Sequence, residues 1–222
     1  MAQELNNSIS SKHLKNGDSS GYPPGKTLID VLKRSFTNVP VDAANGNAVS
    51  TSEFLEAAEA LTYMFDVLGS LAFSPVKKDM LFNVQKIRER QLAAPAESEN
   101  IQDLCRNELK TKKHSATEAL LWLVRGLDFT CRALLVNLKD PKQELADSFR
   151  ASYTETLKPF HSFLVKPIFS AAMSACPYRK DFYVKMGDDQ AKVEEDLKAY
   201  LDALEKIVAI LQAFLASKEA KW

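Results

Sequence analysis

Cysteine is scarce in this chain: Cys105, Cys131 and Cys176 are an odd number, scattered, without metal-ligand spacing. That argues against a disulfide framework or a zinc site and points to free thiols in a reducing compartment, so the expected location is cytoplasmic. Glycine is sparse too, 7 in 222 residues, and no glycine-rich phosphate loop is present. His13, His114 and His161 are dispersed and no nucleophile sits in a recognised motif, which makes an enzyme the least supported class. The 29 basic and 29 acidic side chains cancel, leaving no electrostatic case for nucleic acid. No apolar run approaches the ~20 residues that span a bilayer, and the N-terminus lacks the apolar core of a secretory signal. No cofactor and no metal are expected.

What is present is helix. With 45% hydrophobic residues the chain is able to bury one substantial core. Residues 1–25, rich in Ser, Asn, Gly and Lys, read as a disordered tail, and residues 26–222 as a single helical domain. Leu28, Val31, Leu32 and Phe36 make a short amphipathic turn, and Asn38 to Ser50 reads as a loop. From Thr51, Phe54, Ala58, Leu61, Phe65 and Leu68 recur at helical spacing up to Gly69, a C-cap. Ser74-Pro75 opens the next helix, serine as cap, running to about Gln91. Further helices follow around Ile101–Leu109, after Asp140-Pro141 with Gln143, and after Asp188 or Asp189. Pro159 and Pro167 should kink or restart the chain between Leu157 and Phe169. No strand alternation is evident. The fold class is all-α.

The stretch Ser115–Leu138 organises the rest. Ser115 and Glu118 read as a capping box. On a helical wheel the stretch shows two apolar faces: Leu120, Leu123, Leu127, Cys131, Leu134 and Leu138 on one, Trp122, Phe129, Ala133 and Val136 on the other. A helix apolar on two sides is buried between neighbours. Gly126, which costs about 1 kcal/mol against alanine, leaves room for close packing or for a ligand beside Trp122.

Polar candidates stand on the helix after Pro75. Asp79, Asn83 and Lys86, at i, i+4 and i+7, fall within about 60° of one another on the shoulder of the stripe Val76, Met80, Val84 and Ile87. Such a row is ordinarily a solvated ladder worth a few tenths of a kcal/mol; the alternative is a binding role. Trp122 is either core or a flat surface for a sugar ring. His161, among Phe160, Phe163, Leu164 and Val165, is either a satisfied core histidine or a donor to one ligand carbonyl.

Four stretches then carry a resemblance. F-D-V-L-G-S-L-A-F-S-P-V-K-K-D-M-L-F-N-V-Q-K-I, A-L-L-W-L-V-R-G-L-D-F, L-K-P-F-H-S-F-L-V-K-P-I-F and A-C-P-Y-R-K-D-F together resemble the glycolipid transfer protein family, in the family's order, over about residues 51 to 215. The resemblance implies a two-layer helical sandwich of about eight helices around an apolar lipid chamber, holding one glycosphingolipid. It implies that Asp79, Asn83, Lys86 and Trp122 hold the sugar, with Trp122 stacked under the first ring. Asp79 would also accept from the ceramide amide N–H, and His161 would donate to its carbonyl. Phe65, Leu68, Phe73, Phe129, Leu157, Phe169 and Phe182 fall at positions lining the chamber. Well-known members carry a tryptophan for membrane docking just after the histidine. Here Phe163 stands in its place, so Phe160, Phe163, Lys158 and Lys166 are the expected contact with a membrane surface.

The expected function is therefore glycosphingolipid binding and intermembrane transfer by a monomer that touches membranes transiently. Ceramide-1-phosphate transfer is the nearest alternative. Relatives of that kind put basic residues where this chain has Asn83 and Trp122, which disfavours it. A lipid sensor or scaffold with little transfer is the alternative from another class, since it needs the same pocket.

Overall fold

The computed structural model describes residues 21–222. It is all-α, apart from one two-stranded hairpin. The helices are α1 (Leu28–Val31), α2 (Thr51–Leu61), α3 (Tyr63–Val67), α4 (Ser74–Ala93), α5 (Ile101–Lys110), α6 (Ser115–Lys139), α7 (Leu145–Thr156), α8 (Lys166–Ser174), α9 (Arg179–Met186) and α10 (Gln190–Ala216). Eight of these, among the described residues, have eight residues or more. The expected tail lies mostly outside the described residues, but of its last five residues Tyr22 already leans on the core.

Helix α6 is the centre, packed chiefly against α4, α7 and α10. One residue marks each contact. Met80 of α4 packs over Gly126, where an added Cβ would stand 3.5 Å from it, an ordinary contact. Ser152 of α7 donates to the Phe129 carbonyl at 2.7 Å. Cys131 lies 3.5 Å from the Leu201 carbonyl of α10. Both apolar faces are used, although Val136 is 39% exposed and Trp122 only half-buried.

The start of α6 differs from the expected capping box. His114 occupies the cap position and makes no side-chain cap bond. The buried carboxylate of Glu108 does the work from α5, accepting from the Ala116 and Thr117 amides at 2.9 and 2.8 Å and from the Thr117 hydroxyl at 2.8 Å. A carboxylate at a helix N-terminus satisfies orphan N–H groups and meets the positive end of the macrodipole. A local capping signal was thus overridden by a residue on the preceding helix.

Three other boundaries moved for similar reasons. Ser74 is already inside α4 and caps nothing, while Ser70 accepts from the Ala72 amide at 3.2 Å in the turn before it. Asp140, extended as residues before proline prefer, accepts from the Lys142 amide at 3.0 Å, and α7 starts only at Leu145. The segment read as a loop contains β1 (Val41–Asp42) paired antiparallel with β2 (Ala48–Val49), too short to show alternation. Gln102 ties this hairpin to α5, accepting from the Val49 amide at 3.0 Å and donating to the Asn47 carbonyl at 2.9 Å. The single helix expected from Thr51 to Leu68 is interrupted at Thr62, whose hydroxyl donates to the Glu59 carbonyl at 2.7 Å, so that α2 ends at Leu61 and α3 begins at Tyr63. Gly69 has φ 72° after Leu68, Asp189 accepts from the Ala191 and Lys192 amides, and Pro167 sits in the first turn of α8.

Glu108→Ala should remove about 2–3 kcal/mol of stability, because three buried donors lose their acceptor. Urea denaturation checks this; a midpoint equal to wild type would show that α6 does not need this cap.

Candidate functional site

On α4, the Asn83 amide donates to the Asp79 carbonyl at 3.0 Å and to its carboxylate at 3.3 Å. Asn83 is buried, whereas Asp79 stands exposed at the rim. Crowding by surrounding protein nonetheless raises the Asp79 carboxyl above its ordinary value, with the Lys86 charge acting against that shift. The Lys86 ammonium lies 4.6 Å from the centre of the Phe82 ring. The row is therefore a hydrogen-bonded acid and amide beside an amine, and Met80, next to Asp79, meets α6 at Gly126. Trp122 is one turn before that glycine, half-buried on the same helix.

Trp122 and His161 form the second group. Their rings are 6.1 Å apart and 18° from parallel. The Tyr153 hydroxyl lies 3.2 Å from His161 Nδ1, and Phe169 approaches the imidazole with centroids 4.6 Å apart. Burial, then the Lys166 and Arg125 charges, lower the His161 pKa. A neutral imidazole that accepts at Nδ1 from Tyr153 carries its proton on Nε2, free to be donated. Arg125 lies 4.8 Å from the Trp122 ring and 3.6 Å from the Phe160 ring.

From this pair an unbroken series of rings runs inward. Phe169 is 5.9 Å from Phe129, Phe129 is 5.4 Å from Phe149, Phe149 is 6.1 Å from Phe73, and Phe73 stacks on Phe65 at 5.8 Å. Leu68, Leu157 and Phe182 are buried in the same core. These rings pack directly on one another. Two surface clefts, of about 270 and 440 Å³, are lined by other residues, Leu138 and Glu194 in one and Gln102 and Phe214 in the other. Hydrocarbon among the rings would thus have to part them.

The loop between α7 and α8 carries an exposed apolar patch. Phe160 is 50% and Phe163 78% exposed, and Leu164 and Ile168 extend the patch. Lys158 and Lys166 are exposed beside it.

The family described as glycolipid transfer protein (GLTP) matches residues 49–188. The chain belongs to that family. All five polar and aromatic site positions lie within the match. A glycolipid transfer protein from Aureobasidium melanogenum is 62% identical over 203 residues, covering 91% of this chain and all of that one. The crystal structure of HET-C2, a fungal glycolipid transfer protein, superposes with a TM-score of 0.87 at 71% identity, covering 88% of this chain and 100% of the other. The glycolipid-transfer fold of FAPP2 gives a TM-score of 0.78 at 27% identity, covering 88% and 98%.

Sequence reasoning missed three residues that the fold brings to this site. Tyr153 was read only as part of the α7 stripe; it meets His161 eight positions on because the chain turns back after Thr156. Arg125 carried a usable signal, three residues from Trp122 on one helix. Phe82 carried another, three residues from Asp79 and four from Lys86.

The lowered His161 pKa has a sign that is open to measurement. Its contribution to stability is complete above the ordinary value of 6.5. It is lost as pH falls from that value toward the depressed native one, where the unfolded chain binds a proton that the folded chain resists. His161→Gln should flatten the stability profile in that interval. Parallel profiles for the two proteins would place the acid sensitivity elsewhere.

Proposed function

We propose that this protein binds glycosphingolipids and transfers them between membranes. The observations that support this most directly are the Trp122–His161 stack at the outer end of a continuous aromatic interior and the acid–amide–amine row on α4, the helix whose Met80 packs on α6 one turn from Trp122. A ligand suited to both halves has a polyol head, an amide neck and hydrocarbon tails.

Each part then has a role. The sugar lies against Trp122, with hydroxyls bonded to Asp79, Asn83 and Lys86. The ceramide amide N–H donates to Asp79, and its carbonyl accepts from His161 Nε2, whose proton is kept there by Tyr153. The tails lie among Phe65, Leu68, Phe73, Phe129, Leu157, Phe169 and Phe182. Phe160 and Phe163 meet the membrane, with Lys158 and Lys166 at a basic rim. The protein works as a cytoplasmic monomer, and transfer involves no covalent step.

The energetics suit a carrier. Burying about 16 methylenes at roughly 0.8 kcal/mol each is on the order of 13 kcal/mol per chain, so unaided desorption is slow and an equally apolar interior is needed. Hydrocarbon burial scarcely distinguishes one lipid from another, so head-group choice falls to the polar contacts. A missing ligand hydroxyl leaves their groups unpaired at a cost of roughly 1–3 kcal/mol.

One observation favours a second reading. Arg125, half-buried beside Trp122, makes no ion pair with a described residue, and a lipid phosphate would pair with it. Asn83 and Trp122 oppose that reading, since neither supplies the positive charge that pairs with a phosphate.

Transfer of galactosylceramide between vesicles should fall at least about ten-fold in Asp79→Asn and Trp122→Ala, the loss expected when roughly 1.4 kcal/mol or more of head-group contact goes. Because the Asp79 carboxyl is raised, its ionised form costs the fold stability at neutral pH, and Asp79→Asn should melt no lower than wild type. Undiminished transfer would defeat the head-group assignment, and displacement of galactosylceramide by an equal amount of ceramide-1-phosphate would favour the second reading.

A further inference from the structure

The residues after α10 return to the turn between α5 and α6. Ala220 is buried there, and Glu219 pairs with Arg106 of α5. The Trp222 indole lies against the His114 imidazole, with centroids 5.4 Å apart and planes 10° from parallel. These contacts hold the tail in place yet leave 56% of Trp222 in solvent.

That indole is set among cations. Lys110, Lys112 and Lys113 precede His114 on the turn, Lys218 and Lys221 precede Trp222 on the tail, and all five are exposed. None of the five makes an ion pair with a described residue. Several acids close by are already engaged. Glu108 caps α6, while Asp103 and Glu219 both pair with Arg106; Glu118 is exposed on the first turn of α6. In a chain whose charges cancel overall, five unpaired cations on two meeting segments make a local positive surface.

An exposed indole among lysines matches an acidic bilayer. Indole rings settle at head-group level, apolar body inward and N–H in the wet layer. Lysine stems lie along the interface while their ammonium groups reach anionic head groups. The lysines come from two segments that meet at the ring pair, which suits a sheet of head groups better than one extended acidic peptide.

We propose that the His114–Trp222 face is a docking surface for bilayers rich in anionic lipid. It is separate from the Phe160–Phe163 patch, which meets α6 through Arg125, ten residues and about 15 Å of helix from Ser115. The inference needs no sugar in the head-group site and stands apart from the glycolipid reading.

The experiment is adsorption to glycolipid-free vesicles, either phosphatidylcholine alone or phosphatidylcholine mixed with phosphatidylglycerol, at low and at physiological salt. Wild type should bind the mixed vesicles more tightly and lose part of that gain as salt rises. The double variant Lys112→Gln, Lys113→Gln should bind mixed vesicles about ten-fold more weakly than wild type, the scale of two lysines at an anionic surface, and phosphatidylcholine equally well. In Trp122→Phe, which leaves Trp222 as the one indole, emission should shift to the blue on mixed vesicles. A gain from phosphatidylglycerol that survives in the double variant would assign the attraction to Lys158 and Lys166 and overturn the proposal. Emission that stays unshifted would place the ring outside the bilayer and overturn it too. Soluble polyglutamate held by Lys112 and Lys113, with no gain for mixed vesicles, would make the face a peptide dock instead.

Discussion

The burial of α6 between α4, α7 and α10 is the constraint on which the rest of the molecule depends. Met80 of α4 packs over Gly126, one turn along α6 from Trp122. Ser152, bonded to the Phe129 carbonyl, holds α7 in place, and α7 carries Tyr153 to His161. A helix this buried needs its first turn satisfied by something other than water, and Glu108 meets that need from α5. Packing, cap and site are consequences of one placement.

Around that helix the protein keeps groups that its own fold would not choose. Asp79 is an acid whose ionised form the surroundings resist. Burial also weighs against the charge on Arg125, which rests on aromatic faces rather than on a carboxylate. His161 is held neutral by burial and by neighbouring cations. Isolated polar groups in partly dry places cost stability unless paired. Arg125 and His161 stand together at one end of the aromatic series, beside Trp122.

The interior shows the complementary property. Phe65, Phe73, Phe149 and Phe129 touch ring to ring, in the close packing usual for protein interiors. Phe160, Phe163 and Leu164 form an exposed apolar patch on the loop between α7 and α8.

Helical periodicity by itself determined the all-α class, the long helices, the central place of α6 and the Asp79, Asn83, Lys86 row. These follow from spacings of three and four residues along one chain, and resemblance to family motifs supplied their ligand. Tertiary structure alone decided what lies far apart in the chain or depends on competition between local bonds. Glu108 displaced the Ser115–Glu118 cap, Tyr153 found His161 across a helix end, and the 41–49 hairpin was pinned by Gln102. Helical turns repeat locally, so sequence displays them; the partner of a buried hydrogen bond is chosen by packing, and packing is not local.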